Sequence, residues 1–455
     1  MMSRAHNFRS GRWRRVLGEE QAAGAVTVAR EVAARLRHRE QIEAANAAAA
    51  RQTAYPESVN WEPHGIAKGD AGLALMCGYL DACVPDEGWD ATAHQYLTLA
   101  ARGAERSGYL AAGLFAGLSG LAFAAWSLSR QGTRYQKLLA GIEEALLSQA
   151  VELDDALCRQ RQGVSVSQFD VISGLSGVGA YLLCRREHEE AAAALRAVLR
   201  GLVALTGQEG GIPRWHTPAH LISNEERMLR LYPNGNLNCG LAHGIPGPLA
   251  LMALAVHSGV EVDGLREAID RVASWLSQNR VDDAWGVNWP TAVPLAPDGG
   301  SAAASSAPAE PSRSAWCYGS PGVARALWLA GESLDYPGYR ELAVESMEAV
   351  YRRPVRERYI DSPTFCHGVA GLLQVTLRFA RETRLPLFAE AAKTLSEQLL
   401  SLYDPDSLLG YRSLQPGGQR VDEPGLLDGA PGVVLVLLAA ATDVEPTWDR
   451  LFLLA

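Results

Sequence analysis

Polar and apolar positions alternate along this chain on two scales. Seven short stretches are mostly apolar: Leu73–Cys77, Leu121–Trp126, Val178–Leu183, Leu249–Leu254, Val323–Trp328, Leu372–Leu377 and Val433–Leu438. Between them run longer segments such as Tyr339–Arg352 and Leu387–Leu402, whose apolar residues recur every three or four positions with charge on the opposite face. A one-sided apolar stripe marks a helix resting on a core, whereas a helix that is apolar all round is buried on every side. The pattern therefore predicts an outer helix, a turn and an inner helix, repeated seven times.

Each apolar stretch is entered through a Gly-x-x-Gly step, at Gly69/Gly72, Gly117/Gly120, Gly174/Gly177, Gly244/Gly247, Gly319/Gly322, Gly368/Gly371 and Gly429/Gly432. One such step means nothing in a chain with 44 glycines; seven, each opening an apolar run, mark stacked units that cannot bury their faces alone. Successive steps lie 48 to 75 residues apart, room for two helices and a loop of varying length. Seven buried helices inside a set of amphipathic ones close into an all-α toroid of helical hairpins. The wide gaps are expected to hold insertions, Gln208–Asn238 and a Pro/Ala/Ser loop over Ala296–Ser314 that reads as mobile. Residues 1–55, a basic tail followed by an Ala-rich helical stretch, are set apart from the toroid at 56–455.

Composition narrows the partners. A net charge of −9 opposes a broad phosphate-binding surface, so no nucleic-acid partner is expected. Seven scattered cysteines are unlike a secreted disulfide framework and fit a reducing cytoplasm. The five arginines within Met1–Arg15 are not followed by a signal-peptide core, and the run Val433–Ala441 is too short to span a bilayer. The basic arm is compatible with peripheral membrane contact.

If the units are equivalent, residues at one offset from the step share one height. Two positions before it stand Ala67, Phe115, Ile172, Ala242, Cys317, Cys366 and Leu427. Two cysteines falling in these seven slots by chance is an event of about half a percent. One position before the step, His243, Tyr318, His367 and Asp428 follow one another. All seven inner helices begin at this end, where their N-termini favour anions. Cys317, Cys366 and His367 are the soft and borderline donors that zinc takes, with a fourth position open for an exogenous thiol or water. Against this, a cysteine or histidine beside an apolar helix is usually packing, and adjacent Cys-His is not a recognised zinc spacing. His243 reads equally as a hydrogen-bonded corner residue or a general acid/base. Asp170, Asp428 and Arg313, taken singly, are more often caps or surface charges.

The motifs Phe169-Asp170-Val-Ile-Ser-Gly-Leu-Ser-Gly177, Asn238-Cys-Gly-Leu-Ala-His243-Gly-Ile-Pro-Gly247, Arg313-Ser-Ala-Trp-Cys317-Tyr318-Gly-Ser-Pro-Gly322 and Cys366-His367-Gly-Val-Ala-Gly371 resemble those of the lanthionine synthetase C family, the lantibiotic cyclases. The resemblance covers roughly residues 60 to 440, leaving the stretch before Trp61 unmatched. It implies an α/α toroid, a small insertion between the third and fourth units within about residues 185–238, and one zinc held by Cys317, Cys366 and His367. It also implies active-site roles for Asp170, His243, Arg313 and Tyr318. The implied reaction is Michael-type addition of a precursor-peptide cysteine to dehydroalanine or dehydrobutyrine. His243 would protonate the resulting enolate, Tyr318 or Arg313 would steady it, and Asp170 would orient His243. The implied partners are a dehydrated precursor peptide with its leader, a dehydratase and an exporter. Competing readings are a relative that adds glutathione to dehydroamino acids, a zinc prenyltransferase, disfavoured by these motifs, and a non-catalytic thiol- or peptide-binding scaffold.

Overall fold

A computed structural model describes residues 12–160, 162–222, 226–296 and 312–455. The first eleven residues of the basic arm and most of the 296–314 loop, with its expected mobility, lie outside the described residues. Two helices, α1 (Glu19–Leu36) and α2 (Arg39–Gln52), precede the first glycine step. Next come α3 (Asp70–Cys83) with α4 (Trp89–Ser107), and α5 (Leu118–Ser127) with α6 (Gln136–Arg159). A single turn, α7 (Val166–Phe169), leads to α8 (Leu175–Cys184) and α9 (Glu189–Leu205), and a short α10 (Glu226–Leu231) follows. The remaining pairs are α11 (Pro246–His257) with α12 (Leu265–Gln278), α13 (Ser320–Leu334) with α14 (Pro337–Arg352), and α15 (Val369–Thr383) with α16 (Pro386–Ser401), before a last helix, α17 (Ala430–Ala441).

The inner ring is α3, α5, α8, α11, α13, α15 and α17. Every residue of α17 from Ala430 to Ala441 is buried. The outer α12 instead buries one stripe, Leu265, Ala268, Ile269, Val272, Ala273 and Leu276. The molecule is the expected α/α toroid, with short strands added in the connections.

These strands are β1 (Gln208–Glu209), β2 (Ile212–Pro213), β3 (Asn236–Asn238), β4 (Val281–Asp283), β5 (Gly286–Asn288), β6 (Ala292–Pro294), β7 (Arg412–Leu414) and β8 (Arg420–Asp422). They form antiparallel ladders β1–β2, β3–β6, β4–β5 and β7–β8. The β3–β6 ladder joins the two long connections that flank the fourth hairpin, pairing Asn238 with Ala292. Within the range 185–238 expected to contain the insertion, 189–205 is the outer helix α9, and the segment beyond Leu205 is the part that departs from the repeat.

The register drawn from the sequence is built as a closed ring of backbone hydrogen bonds. Ala67 N–H donates to Phe115 O, Phe115 to Ile172, Val171 to Ala242, Ala242 to Cys317, Cys317 to Cys366, Cys366 to Leu427, and Leu427 back to Ala67, all at 3.0–3.3 Å. The second glycine of each step makes this closeness possible. A Cβ there would stand 1.9–2.9 Å from the carbonyl oxygen six residues earlier in all seven units, a separation no side chain tolerates.

The two chain ends complete the toroid. α17 takes its outer partner from α1, whose Ala22, Ala25, Ala29, Val32, Ala33 and Leu36 are buried. Trp13 Nε1 donates to Ala439 O at 2.9 Å and Val16 N–H to Ala440 O at 3.1 Å. Residues set apart as 1–55 thus include the seventh outer helix, so residue 55 is not a packing boundary. At the other end, the 3-10 turn Thr447–Phe452 enters the bore, with Trp448, Phe452 and Leu454 fully buried. Asp449 anchors it through Arg378 (Nε and Nη2, both at 2.6 Å) and Gln374 (2.7 Å) of α15. Among the described residues no helix is long and apolar enough to cross a membrane.

Candidate metal centre and active site

The chemistry-bearing side chains sit on the hydrogen-bonded ring, at the N-terminal end of the inner helices. Because Cys317 N–H donates to Cys366 O, the two cysteine corners are bound to each other edge to edge. Their floor is the C-terminal segment: Trp316 Nε1 donates to Phe452 O at 3.0 Å, and the Phe365 ring stacks on Phe452 with centroids 3.7 Å apart. The residues preceding both cysteines therefore rest on one side chain. At the corner of Cys317 the chain turns through Gly319 with φ +92°, and a Cβ there would lie 1.6 Å from Arg313 O, so only glycine fits.

The donor atoms of Cys317, Cys366 and His367 lie within 4.8 Å of one another. Two sulfurs and one imidazole at that separation suit a tetrahedral zinc with one position left open. Beside them, Asp428 Oδ1 is buried without a hydrogen-bond partner and lies 3.6 Å from His367 Nδ1, where a carboxylate can orient a ligating histidine. A hydrogen bond with Cys317, and then burial, hold the Cys366 thiol well above its usual range, while the charge of Arg313 opposes this. Burial pulls His367 below the usual imidazole value, Asp428 acts against this, and Arg313 adds to it. A neutral imidazole is the form that ligates metal. The donor set fits zinc.

Other cysteines are of a different kind. Burial pushes the thiols of Cys77 and Cys239 up to about 12, and those of Cys83 and Cys184 up to about 11. Cys239, four residues from His243, points its sulfur at Leu237 O (3.6 Å) and is a packing residue.

On the neighbouring ring positions, His243 Nδ1 meets Asp170 Oδ2 at 2.7 Å. Asp170 is buried, and its other oxygen accepts the backbone N–H groups of Ser173 and Gly174, each at 2.8 Å. One carboxylate thus caps its own corner and holds the histidine of the next. His243 keeps 39% of its side-chain surface exposed, so its far edge faces open space. Tyr318 lies between this pair and the cysteines, its ring centroid 6.3 Å from that of His243. Burial raises the Tyr318 phenol above its ordinary range, so it stays protonated. Arg313 is exposed at the lip, near enough for its charge to act on Cys366 and His367. All seven sequence-derived residues therefore gather at one end of the toroid.

The comparison with known proteins bears on this arrangement directly. Residues 60–453 match the family described as lanthionine synthetase C-like protein. The chain belongs to that family. It is 25% identical over 354 residues to the nisin biosynthesis protein NisC of Lactococcus lactis subsp. lactis, covering 76% of this chain and 78% of the relative. Its fold superposes on nisin cyclase with a TM-score of 0.74 at 23% identity, over 87% of this chain and 93% of that one.

Within this lanthionine synthetase C-like fold, three contacts of the site were not anticipated from sequence. Asn238 Nδ2 donates to Tyr318 Oη at 3.1 Å. Asp428, which the sequence placed on the ring but weighed as a cap or surface charge, faces His367 from the next unit. Phe452 lies beneath both cysteine corners, and nothing in its local pattern announces that.

Proposed function

We propose that this protein is a lanthionine-forming cyclase, which joins cysteine thiols of a dehydrated precursor peptide to dehydroalanine or dehydrobutyrine in the same peptide. One observation carries the reading: a Cys-Cys-His donor set and a carboxylate-backed histidine occupy adjacent positions of one backbone ring. Family membership supports the same reaction class.

In the proposed reaction the substrate sulfur bonds to the alkene β-carbon, the double bond opens toward the α-carbon as an enolate, and a proton is delivered to that carbon. The peptide gains and loses nothing overall. Cys317, Cys366 and His367 would hold zinc, which when bound supplies the Lewis acidity that keeps a substrate thiol ionised at neutral pH. His243 protonates the α-carbon, and Asp170 fixes its ring. Tyr318 presents an O–H to the enolate oxygen, and Arg313 adds positive charge at the lip. Both reacting groups belong to one peptide, which reduces the entropic part of the barrier. A cytoplasmic location beside a dehydratase and an exporter belongs to the same proposal, with Arg12, Arg14 and Arg15 exposed for peripheral contact with a membrane surface.

The test is incubation with a dehydrated precursor peptide. Free thiol should disappear at constant mass, whereas a mass increase with added glutathione would point to the intermolecular alternative. Purified protein should hold about one zinc. Cys317→Ala and Cys366→Ala should lose both metal and ring closure; His243→Ala should keep the metal and lose correct ring formation. Full metal retention in either cysteine variant removes the site as assigned.

A further inference from the structure

We infer that Asn238 is a positioning residue that sets the direction of the Tyr318 hydroxyl, turning its proton toward the reaction centre. The inference rests on the reading of Tyr318 given above. Asn238 closes β3, and its backbone is held on both sides: Cys239 N–H donates to Thr291 O at 3.0 Å and Ile245 N–H to Asn238 O at 3.1 Å. Its side chain is fixed as well. Oδ1 accepts the Gly240 backbone N–H at 2.9 Å, an i to i+2 contact that only the carbonyl end of the amide can make.

That contact leaves no choice for the other end. The amide nitrogen faces Tyr318 Oη at 3.1 Å, and since an amide NH2 can only donate, the phenol oxygen accepts. A hydroxyl has one proton, so the Tyr318 proton cannot lie along this contact and is directed elsewhere. Gly240 seats the ring in the same motion, because a Cβ there would stand 2.5 and 2.6 Å from Tyr318 Cε1 and Cδ1. Asn238 and Gly240 together hold the tyrosine by its face and its oxygen. A phenol carries its proton at neutral pH, and the Tyr318 ring lies 6.3 Å from that of His243, so the aimed O–H is a fixed dipole among the groups that would surround the substrate. Donors aimed beforehand stabilise developing negative charge without reorganising during the reaction.

Asn238→Asp tests this with little change of shape. An aspartate can still accept from Gly240, but it presents a second acceptor to Tyr318, whose proton then turns toward the carboxylate. We expect kcat for ring closure to fall about tenfold or more, with KM, zinc content and unfolding midpoint unchanged. In a Tyr318→Phe background the same substitution should change kcat less than about twofold. If Asn238→Asp folds poorly, Asn238→Ser serves, since a hydroxyl still accepts from Gly240 but is too short to reach Tyr318, and its loss should again depend on Tyr318. The inference is overturned by wild-type kcat in the folded variant, or by equal losses in both backgrounds. A slow Tyr318→Phe enzyme beside a fast Asn238→Asp one removes this inference alone; a wild-type rate for Tyr318→Phe removes the role of the tyrosine itself.

Discussion

Replacing Asp170 by asparagine should separate the catalytic use of its carboxylate from its structural use. Oδ1 holds two backbone N–H groups at 2.8 Å, and only an oxygen can stay there. The new NH2 must therefore face His243 Nδ1, where Oδ2 stood at 2.7 Å. Histidine then accepts at Nδ1, its proton moves to Nε2, and the imidazolium loses its counter-charge. A unit charge pair about 4 Å apart contributes about 4 kcal/mol in surroundings of intermediate polarity. Screening at the exposed far edge of the ring lowers that toward the value of a hydrogen bond to a charged group, about 2 kcal/mol. Ring closure should therefore slow by about 30- to 1000-fold. The assay follows thiol loss in a dehydrated peptide by labelling and mass spectrometry, with zinc content and unfolding midpoint measured on the same samples. Both of these should stay at wild-type values, because the corner retains its cap. A rate within about threefold of wild type would refute the idea that the carboxylate charge supports His243.

Two further substitutions probe the scaffold around the site. Asp449→Ala leaves Arg378, itself buried, with Glu445 at 2.9 Å as its ion-pair partner and Pro446 O at 3.4 Å, and should lower unfolding free energy by about 3 kcal/mol, whereas Asp443→Ala, which removes an exposed pair with Arg14 at 3.5 Å and an exposed contact with the Arg15 N–H at 3.0 Å, should cost about 1 kcal/mol. Equal effects in urea unfolding would show that the C-terminal segment is not held by this ion pair. Glu423 is 3% exposed, and burial pushes its carboxyl up to about 7, with the charge of Lys68 acting against that. The folded chain thus holds this proton more tightly than the unfolded one, so its contribution is complete below the ordinary value of 4.5 and is lost as pH rises through 7. Glu423→Gln cannot ionise, and it should gain about 3 kcal/mol relative to wild type between pH 4.5 and 8; a difference that does not vary with pH would contradict the burial argument.

How much of this was legible beforehand differs from element to element. The inner helices announce themselves because burial on every side leaves no polar face, and each is introduced by a glycine that the crowded backbone demands. Cys317, Cys366 and His367 could be grouped because their offset from the step is a local count that the repeat converts into common height. His243 and Asp170 came through motif resemblance, and the bifurcated role of Asp170, one oxygen for its corner and one for the histidine, needed coordinates. The part played by α1 was hidden because its alanine stripe would suit many grooves, and its partner lies some four hundred positions away.

Sequence by itself determined the number of hairpins, the end of the ring that carries polar chemistry and the donor atoms offered to a metal, since each follows from periodicity or residue type along neighbouring positions. Tertiary structure alone decided which helix closes the seventh hairpin, that Phe452 underlies both cysteine corners, and which way the amide of Asn238 points. Those outcomes depend on contacts between distant segments, where many partners satisfy the same polarity pattern and only the packed geometry selects one.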